Sequence, residues 1–501
     1  MLKSIRIQNF KSYKDATLAL SPFTVLIGAN ASGKSNAIEA LRFLSILANG
    51  QKLSSFKFAV FNKDGGIRGG IDKLMYPESK SCSFECELDA LDYNTLLMEI
   101  GQNGSDLFIA SESLEKKGKK TPLYKAASKI GGFNFPVTNV TYDNFTRGGK
   151  YPSIACSNQE PVFLQLTTPA SILEKYKTSR SVIPENSRNV ETALKSFFFL
   201  DAIPAKMRGY SAPDRLLLNN GENLSGVLFN LIKQTQNLSQ EEKKENRKNK
   251  EDILAFIESL PEQNFSSVST IKEPRGERLL TLKETFGGKE QEYDASLLSD
   301  GTLRVLAVAV ALLSAPEKST MVIEELDNGI HPSRAKQILA KINEIAKRRN
   351  LKILITTHNP AMLDALPPEV VPDCVFCFRD PKDGSSKLMK LSDAPNYMDL
   401  LIQDSLGGLL TSQKLDYFIK KNESSSEKKN KSLKWLNDLL ARWLDTFPGA
   451  VQRNKSDDKP NEGLSWGDHT IIGELEKMRQ KYPRANISIW SLDKDLSAYG
   501  N

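Results

Sequence analysis

The stretch FTVLIGANASGKSN, Phe23 to Asn36, sets an apolar run rich in aromatic and β-branched residues against a glycine-bounded loop. Such a run reads as a buried strand. Beyond the loop, Ile38, Leu41, Leu44 or Ser45, and Leu47 recur on one face of a helix. Gly28-Ala29-Asn30-Ala31-Ser32-Gly33-Lys34-Ser35 fits G-x-x-x-x-G-K-[ST] in full. Strand, glycine loop and helix in that order restrict the chain to an α/β fold of the P-loop NTPase type. The glycines let backbone N–H groups close around phosphates, Lys34 reaches the β and γ oxygens, and the Ser35 hydroxyl suits Mg²⁺. Asn30, Ala31, Ser32 and Asn36 complete the candidate nucleotide-binding loop. The alternative, a glycine-rich turn, would not require a strand before it and a helix after it.

A second stretch, MVIEELDNGIHP, runs from Met321-Val322-Ile323 straight into Glu324 and Glu325. A P-loop enzyme needs a carboxylate at the end of a neighbouring strand for the magnesium shell, and a second group to orient or deprotonate the attacking water. We assign Glu324 to the metal side and Glu325 to the water. The competing reading, an acidic turn at the start of a surface helix, does not explain the apolar lead-in.

Two shorter signals accompany these. Leu297-Leu298-Ser299-Asp300-Gly301-Thr302 precedes a helical pattern from Leu303 to Leu313, placing a hydroxyl and backbone donors at a helix N-terminus, where an anion binds. Taken alone it reads equally as plain N-capping. His358 follows the apolar run Ile353 to Ile355 in ITTHNP, within reach of a γ-phosphate. A lone histidine at a strand end is more often structural, so its weight comes from the company it keeps.

Strand candidates at Met321 to Ile323, Ile353 to Ile355 and Val375 to Phe378 alternate with helices, including an amphipathic Ala335 to Lys347, which predicts a largely parallel sheet. Ile5, Ile7 and Phe10 mark an opening strand. Between about residues 50 and 290 the signals weaken to a strand candidate at Cys82 to Leu88 and a helical stretch from Asn223 to Ile232. Ser239 to Asp252 is charged, reading as an exposed helix or a disordered loop. The expected organisation is a head over 1–420, with its core in 1–50 and 280–420 and antiparallel β and helical insertions in 51–279. A linker or helical segment over 421–460 and a small C-terminal accessory α/β region over 461–501 follow.

A chain of 501 residues, 40% apolar and 26% charged, has ordinary globular usage. No apolar run approaches the roughly 18 residues of a membrane span, and the N-terminus lacks a signal-peptide apolar region, so the expectation is a cytoplasmic protein without membrane partners. Cys82 with Cys86, and Cys374 with Cys377, interrupt strand-like runs and read as reduced buried thiols rather than zinc ligands. A net charge of +7 permits nucleic-acid contact without demanding it. Basic clusters at Glu115 to Lys120, Glu241 to Asp252 and Glu427 to Lys434 read first as solvated faces.

Taken in order, GANASGKSN, LLSDGT, MVIEELDNGIHP and ITTHNP resemble the ABC-type ATPase heads of the RecF, SMC and OLD group, above all the RecF-like AAA-15/AAA-21 ATPases. IRIQNFKSY resembles their opening strand, and NGENLSGVLFNL, Asn220 to Leu231, a helix of their middle region. The resemblance covers roughly residues 1 to 50, 200 to 232 and 280 to 410. It implies an ABC-type head with a helical lobe between Walker A and signature, ATP and Mg²⁺ as cofactors, and hydrolysis of ATP. Gly28, Gly33, Lys34 and Ser35 become Walker A, and Ser299, Asp300 and Gly301 a signature acting in trans. Glu324 becomes the Walker B acid and metal ligand, and Glu325 the catalytic glutamate. Asp327 and Asn328 become the D-loop, and His358 the switch histidine.

The resemblance further implies a homodimer or higher oligomer through the heads, closed by ATP and released by hydrolysis. It also departs from the family in places. Leu326 replaces the proline of E-E-P-E-N, no glutamine between Gln51 and Gln102 suits a Q-loop, and no Toprim nuclease pattern follows Asp380. Asp468, Asp493 and Asp495 beside the alternating run Ile487 to Trp490 could bind nuclease metals, but read better as a solvent-facing turn. Among stand-alone relatives this pattern implies control of a partner effector, a nuclease or toxin encoded nearby, in anti-phage defence. The alternative is a RecF-like repair ATPase that clamps DNA.

Overall fold

Three segments are buried at every residue: Phe23–Ile27, Thr320–Ile323 and Lys352–Thr356. Burial without alternation marks inner strands of a parallel sheet covered on both faces. The computed structural model describes residues 1–56, 66–89, 92–119, 121–127, 137–146, 151–258, 264–286, 288–328, 330, 332–394, 397, 401–402, 404–412 and 414. The chain divides into two compact units, Met1–Lys390 and Leu391–Asn501. The segments expected as linker and accessory region, 421–460 and 461–501, with Asp468, Asp493 and Asp495, lie outside the described residues, as does His331.

In chain order β1 (Leu2–Phe10), β2 (Tyr13–Ala19) and β3 (Phe23–Ile27) lead into α1 (Lys34–Ala48). Strands β4 (Ser81–Leu88), β5 (Thr95–Asn103), β6 (Asp106–Glu115), β7 (Tyr124–Ala127), β8 (Val137–Tyr142) and β9 (Ser153–Ser157) follow. The middle of the chain gives α2 (Lys177–Lys195), β10 (Phe197–Leu200), α3 (Leu224–Ile232), α4 (Gln240–Glu258), β11 (Phe265–Lys272), β12 (Arg278–Phe286) and β13 (Lys289–Asp294). The last stretch of the first unit gives α5 (Asp300–Ser314), β14 (Thr320–Ile323), α6 (Ala335–Arg349), β15 (Lys352–Thr356), β16 (Val375–Arg379) and β17 (Ser386–Lys390).

These strands form three sheets. The central one runs β10-β14-β15-β3-β16-β17 and is parallel except for β17. Its parallel strands therefore deliver Ile27, Ile323, Thr356 and Arg379 to one edge, where a doubly wound sheet binds its ligand. Here the structure differs from the expectation that the glutamate strand would neighbour the P-loop strand, because β15 lies between β14 and β3.

The second sheet, β2-β1-β4-β5-β6-β7-β8-β9, is antiparallel throughout. It alternates buried and less buried residues, as β4 does along SCSFECEL, because one face meets the core. Helix α1 joins both sheets. Phe43 meets Phe10, Phe56 and Phe84 at ring-centroid distances of 6.1, 5.2 and 5.7 Å, and the same buried cluster takes in Leu26, Val322 and Leu354 of the central sheet. Burial thus runs almost all round α1, wider than the single apolar stripe seen in its sequence, and includes Glu39 and Arg42.

The third sheet, β11-β12-β13, packs with α3, α4 and α5 into a lobe carried between the antiparallel sheet and β14. The charged stretch from Ser239 is helical there because Ile253, Phe256 and Ile257 give α4 a buried face. Within the second unit, Ser405 caps the short helix Leu406–Thr411, its hydroxyl accepting from the Gly408 N–H. Among the described residues no helix is long and apolar enough to cross a membrane.

Candidate functional site

The loop after β3 is fixed by what lies against it. Gly28 has φ +148°, and an added Cβ would lie 2.1 Å from the Cys377 carbonyl oxygen of β16. Gly33 has φ +120°, and its Cβ would lie 2.3 Å from the Ser386 Oγ of β17. Both positions combine a backbone that side chains rarely adopt with a contact no side chain could tolerate, so glycine is required. The loop is then tied down from beneath. Ser386 Oγ donates to the Ser32 carbonyl at 2.6 Å, Tyr13 OH to the Gly33 carbonyl at 3.1 Å, and Arg379 Nε to the Ala31 carbonyl at 3.0 Å.

Lys34 Nζ donates to the carbonyls of Gly28 at 2.6 Å and Ala29 at 3.0 Å. The ammonium thus caps its own loop at the place where phosphate oxygens can replace the two carbonyls. Burial lowers the Lys34 pKa, with Cys377, Glu325 and Asp327 opposing. Ser35 and Asn36 open α1, whose N-terminus adds a partial positive charge at the same point. Asn36 Nδ2 donates to Ser12 Oγ at 2.7 Å, so its side chain braces the first turn of the helix against the β1–β2 turn.

The adjacent glutamates divide by environment. Glu324 is half-buried and accepts from Arg42 Nη2 at 3.0 Å. Burial raises its pKa, and Arg42 and Arg68 pull it down. Glu325 is exposed and has φ 49°, a left-handed conformation that interrupts strand alternation and lets both carboxylates face one cavity. Such a backbone costs on the order of 1–3 kcal/mol. It is held by β15, with the Glu325 N–H donating to Thr356 Oγ1 at 2.8 Å and the Leu326 N–H to the Thr356 carbonyl at 3.2 Å. Asn328 Nδ2 donates to Glu325 Oε2 at 2.6 Å, and Asp327 Oδ2 stands 3.5 Å from His358 Nδ1.

The cavity at this edge measures about 390 Å³, within the few-hundred range of small-molecule sites. Asn30, Ala31, Gly33, Lys34, Ser35, Asn36, Glu324, Glu325 and His358 line it, joined by Arg68, Thr356, Thr357 and Arg379. Among the described residues, neither Gly28 nor Ser32 nor any glutamine lines it. Ser299, Asp300 and Gly301 are not brought here, and Asp327 and Asn328 do not line it but contact lining residues, His358 and Glu325. Ser299 caps α5, its Oγ accepting from the Thr302 N–H at 3.1 Å.

The sequence reading missed several of these groups. Arg42 is a charge on the apolar face of α1, stacked 4.6 Å from the Phe199 ring centroid, and that misplaced charge was the available signal. Arg379 ends β16, a strand-end position of the same kind as Glu324. Arg68 arrives from a loop with no periodic signal. It is anchored by Nε to the buried Glu39 at 2.6 Å, and Lys11 also pairs with that carboxylate. Among the described residues, three buried polar atoms around the site have no partner: Ser32 Oγ, Arg42 Nε and Asp327 Oδ1. Unsatisfied groups are costly unless a ligand completes them. The donors that line the cavity, Lys34, Arg68, Arg379 and the loop N–H groups, with the Ser35 hydroxyl and the Glu324 carboxylate on the same cavity, fit a polyphosphate with a divalent cation.

Known proteins resemble the chain across this site. The family model described as "AAA domain, putative AbiEii toxin, Type IV TA system" matches residues 23–128 and 159–364, more than half of the chain. An ATP/GTP phosphatase of Helicobacter pylori is 20% identical over 387 residues, covering 73% of this chain and 87% of that protein. The DNA replication and repair protein RecF of Ligilactobacillus salivarius is 33% identical over 76 residues, 15% of this chain and 20% of RecF. The chromosome partition protein Smc of Methanocaldococcus jannaschii is 27% identical over 123 residues, 24% of this chain and 10% of Smc. The chain therefore spans a fifth or less of those last two relatives. Among solved structures, an Smc head bound to the C-winged helix domain of ScpA aligns over 77% of this chain and 97% of that one, with a TM-score of 0.41 and 15% identity.

Proposed function

The chain belongs to this AAA-domain family and is a RecF- and SMC-like ABC-type ATPase, and on that premise we propose that it hydrolyses MgATP between two closing heads to control a partner effector. The observation that carries the reading is the meeting of Lys34, Ser35, Glu324, Glu325 and His358 around one cavity at one sheet edge.

In this mechanism the loop N–H groups and Lys34 take the β and γ phosphates, the lysine leaving the Gly28 and Ala29 carbonyls as it does so. Ser35 and Glu324 would hold Mg²⁺, which when bound neutralises charge on the β and γ oxygens. Glu325 accepts the proton of the attacking water. Asn328 occupies its Oε2, which leaves Oε1 for that water. His358, steadied by Asp327, faces the γ-phosphate. Ser299 and Gly301 stand outside this cavity, consistent with their completing the site of a second copy.

Glu325→Gln is expected to bind ATP, hydrolyse it at least a hundredfold more slowly, and accumulate as an ATP-dependent dimer in light scattering. Wild-type turnover by this variant would overturn the assignment of Glu325. The family's description names a toxin and a toxin–antitoxin system, which is compatible with the proposed control of an effector in anti-phage defence. Copurification of a nuclease or toxin, released on hydrolysis and retained by Glu325→Gln, is the expected result. The RecF relative motivates a second reading, a DNA clamp. It would appear as ATP-dependent DNA affinity that falls steeply with salt.

A further inference from the structure

Asp300 places a carboxylate in the middle of the turn that is proposed to receive a phosphate. In the first turn of α5 it suits the helix, because a negative charge there is favoured by the helix dipole. For an incoming γ-phosphate the same charge is repulsive at close range. The turn also presents backbone carbonyls, and Leu297 beside it is 68% exposed, so the site is open to an approaching surface.

Arg208 answers both problems. It follows the short helix Pro204–Met207, between β10 and α3. Its Nη1 donates to the carbonyls of Ala295 at 3.3 Å, Ser296 at 3.0 Å and Leu298 at 2.6 Å, while Nη2 donates to Asp300 Oδ1 at 2.5 Å. One guanidinium therefore gathers three carbonyls and the carboxylate. Its fork geometry allows this where an ammonium would not. The neighbouring Ser299 hydroxyl is held by Thr302 at the head of the helix.

We propose that Arg208 is a positioning residue that neutralises Asp300, so that the Ser299–Gly301 turn can accept the γ-phosphate bound by a second copy of this chain. The inference rests on the reading above, in which this turn completes the partner's site. Arg208 touches no nucleotide in this account. It acts through Asp300 and the turn.

The test compares Arg208→Ala, Arg208→Lys, Asp300→Gly and Arg208→Ala/Asp300→Gly in the full chain, measuring ATPase kcat and KM and the Kd for ATP. Arg208→Ala is expected to lower kcat tenfold or more with Kd for ATP unchanged, since the P-loop half is untouched and an unchanged Kd shows a folded core. Arg208→Lys is expected to fall between the two. Removing the unneutralised carboxylate as well is expected to restore kcat to within about threefold of Asp300→Gly alone, which loss of fold would not allow. A double variant no faster than Arg208→Ala, or an Arg208→Ala chain with wild-type kcat, overturns the proposal. If the Glu325→Gln chain also fails to associate with ATP, the underlying reading falls with it. If that chain associates normally, only the role of Arg208 is lost.

Discussion

The P-loop and the Ser299–Gly301 turn both offer backbone donors at a helix start, yet the molecule builds them in opposite ways. The P-loop is locked by two glycines against β16 and β17 and tied by Ser386, Tyr13 and Arg379. The turn is a surface feature capped by Ser299 and gathered by one arginine. The 390 Å³ cavity is lined by the first and not by the second. The contrast teaches that one copy of the chain encloses the proposed nucleotide pocket, while the exposed turn lies outside it.

The largest expected effect breaks the P-loop half. Lys34→Ala should lose ATP binding in calorimetry and reduce hydrolysis on the order of a hundredfold or more. Mixing it with Ser299→Arg sharpens the comparison, because each chain then lacks a different half. If the turn acts in trans, the mixture recovers ATPase activity that neither variant shows alone. If it acts within one chain, the mixture stays inactive.

A smaller effect belongs to the turn. Ser299→Ala should leave the Kd for ATP unchanged and lower kcat about tenfold, the scale of one hydrogen bond to a charged group. Its thermal stability should fall by about 1 kcal/mol, because the same hydroxyl caps α5. An equal loss of ATP affinity would place Ser299 in the P-loop half and dissolve the contrast.

The smallest effect is a control outside both halves. Glu112 is buried in the antiparallel sheet and accepts from Tyr124 OH at 2.7 Å and from the Val162 and Phe163 N–H groups at 2.8 Å each. Burial pushes its carboxyl up to about 7, with those three donors opposing. A raised folded pKa stabilises fully below the ordinary value of 4.5 and loses that contribution as pH rises through about 7. The unfolding free energy of Glu112→Gln should therefore gain on wild type between about pH 4.5 and 7, at no more than about 1.4 kcal/mol per pH unit, with its melting temperature rising relative to wild type over the same range. ATP affinity is expected to stay constant. A pH-independent difference in melting temperature would remove Glu112 as the titrating group.

Much of the site was legible where chemistry and local structure share one stretch of chain. The strand into Gly28, the strand before Glu324 and the one before His358 carry apolar runs, because inner parallel strands bury both faces, and the helix from Lys34 carries an apolar stripe at helical spacing. Strand β10 was not legible. It is short, comes from the weakly patterned middle of the chain, and joins the central sheet only by pairing with β14 across a long separation. Arg68 and Arg208 share that difficulty, since each lies in irregular chain whose partners are remote in sequence.

By itself the sequence determined an α/β P-loop fold and the order of its motifs, because periodicity and glycine placement are local properties of the chain. Tertiary structure alone decided that β15 separates the P-loop strand from the glutamate strand, that Thr356 braces Glu325 in a left-handed backbone, and that Arg42 meets Glu324. It also decided that the Ser299 turn stands apart from the cavity. These are relations between residues tens to hundreds of positions apart. Packing fixes them only after each local element has formed.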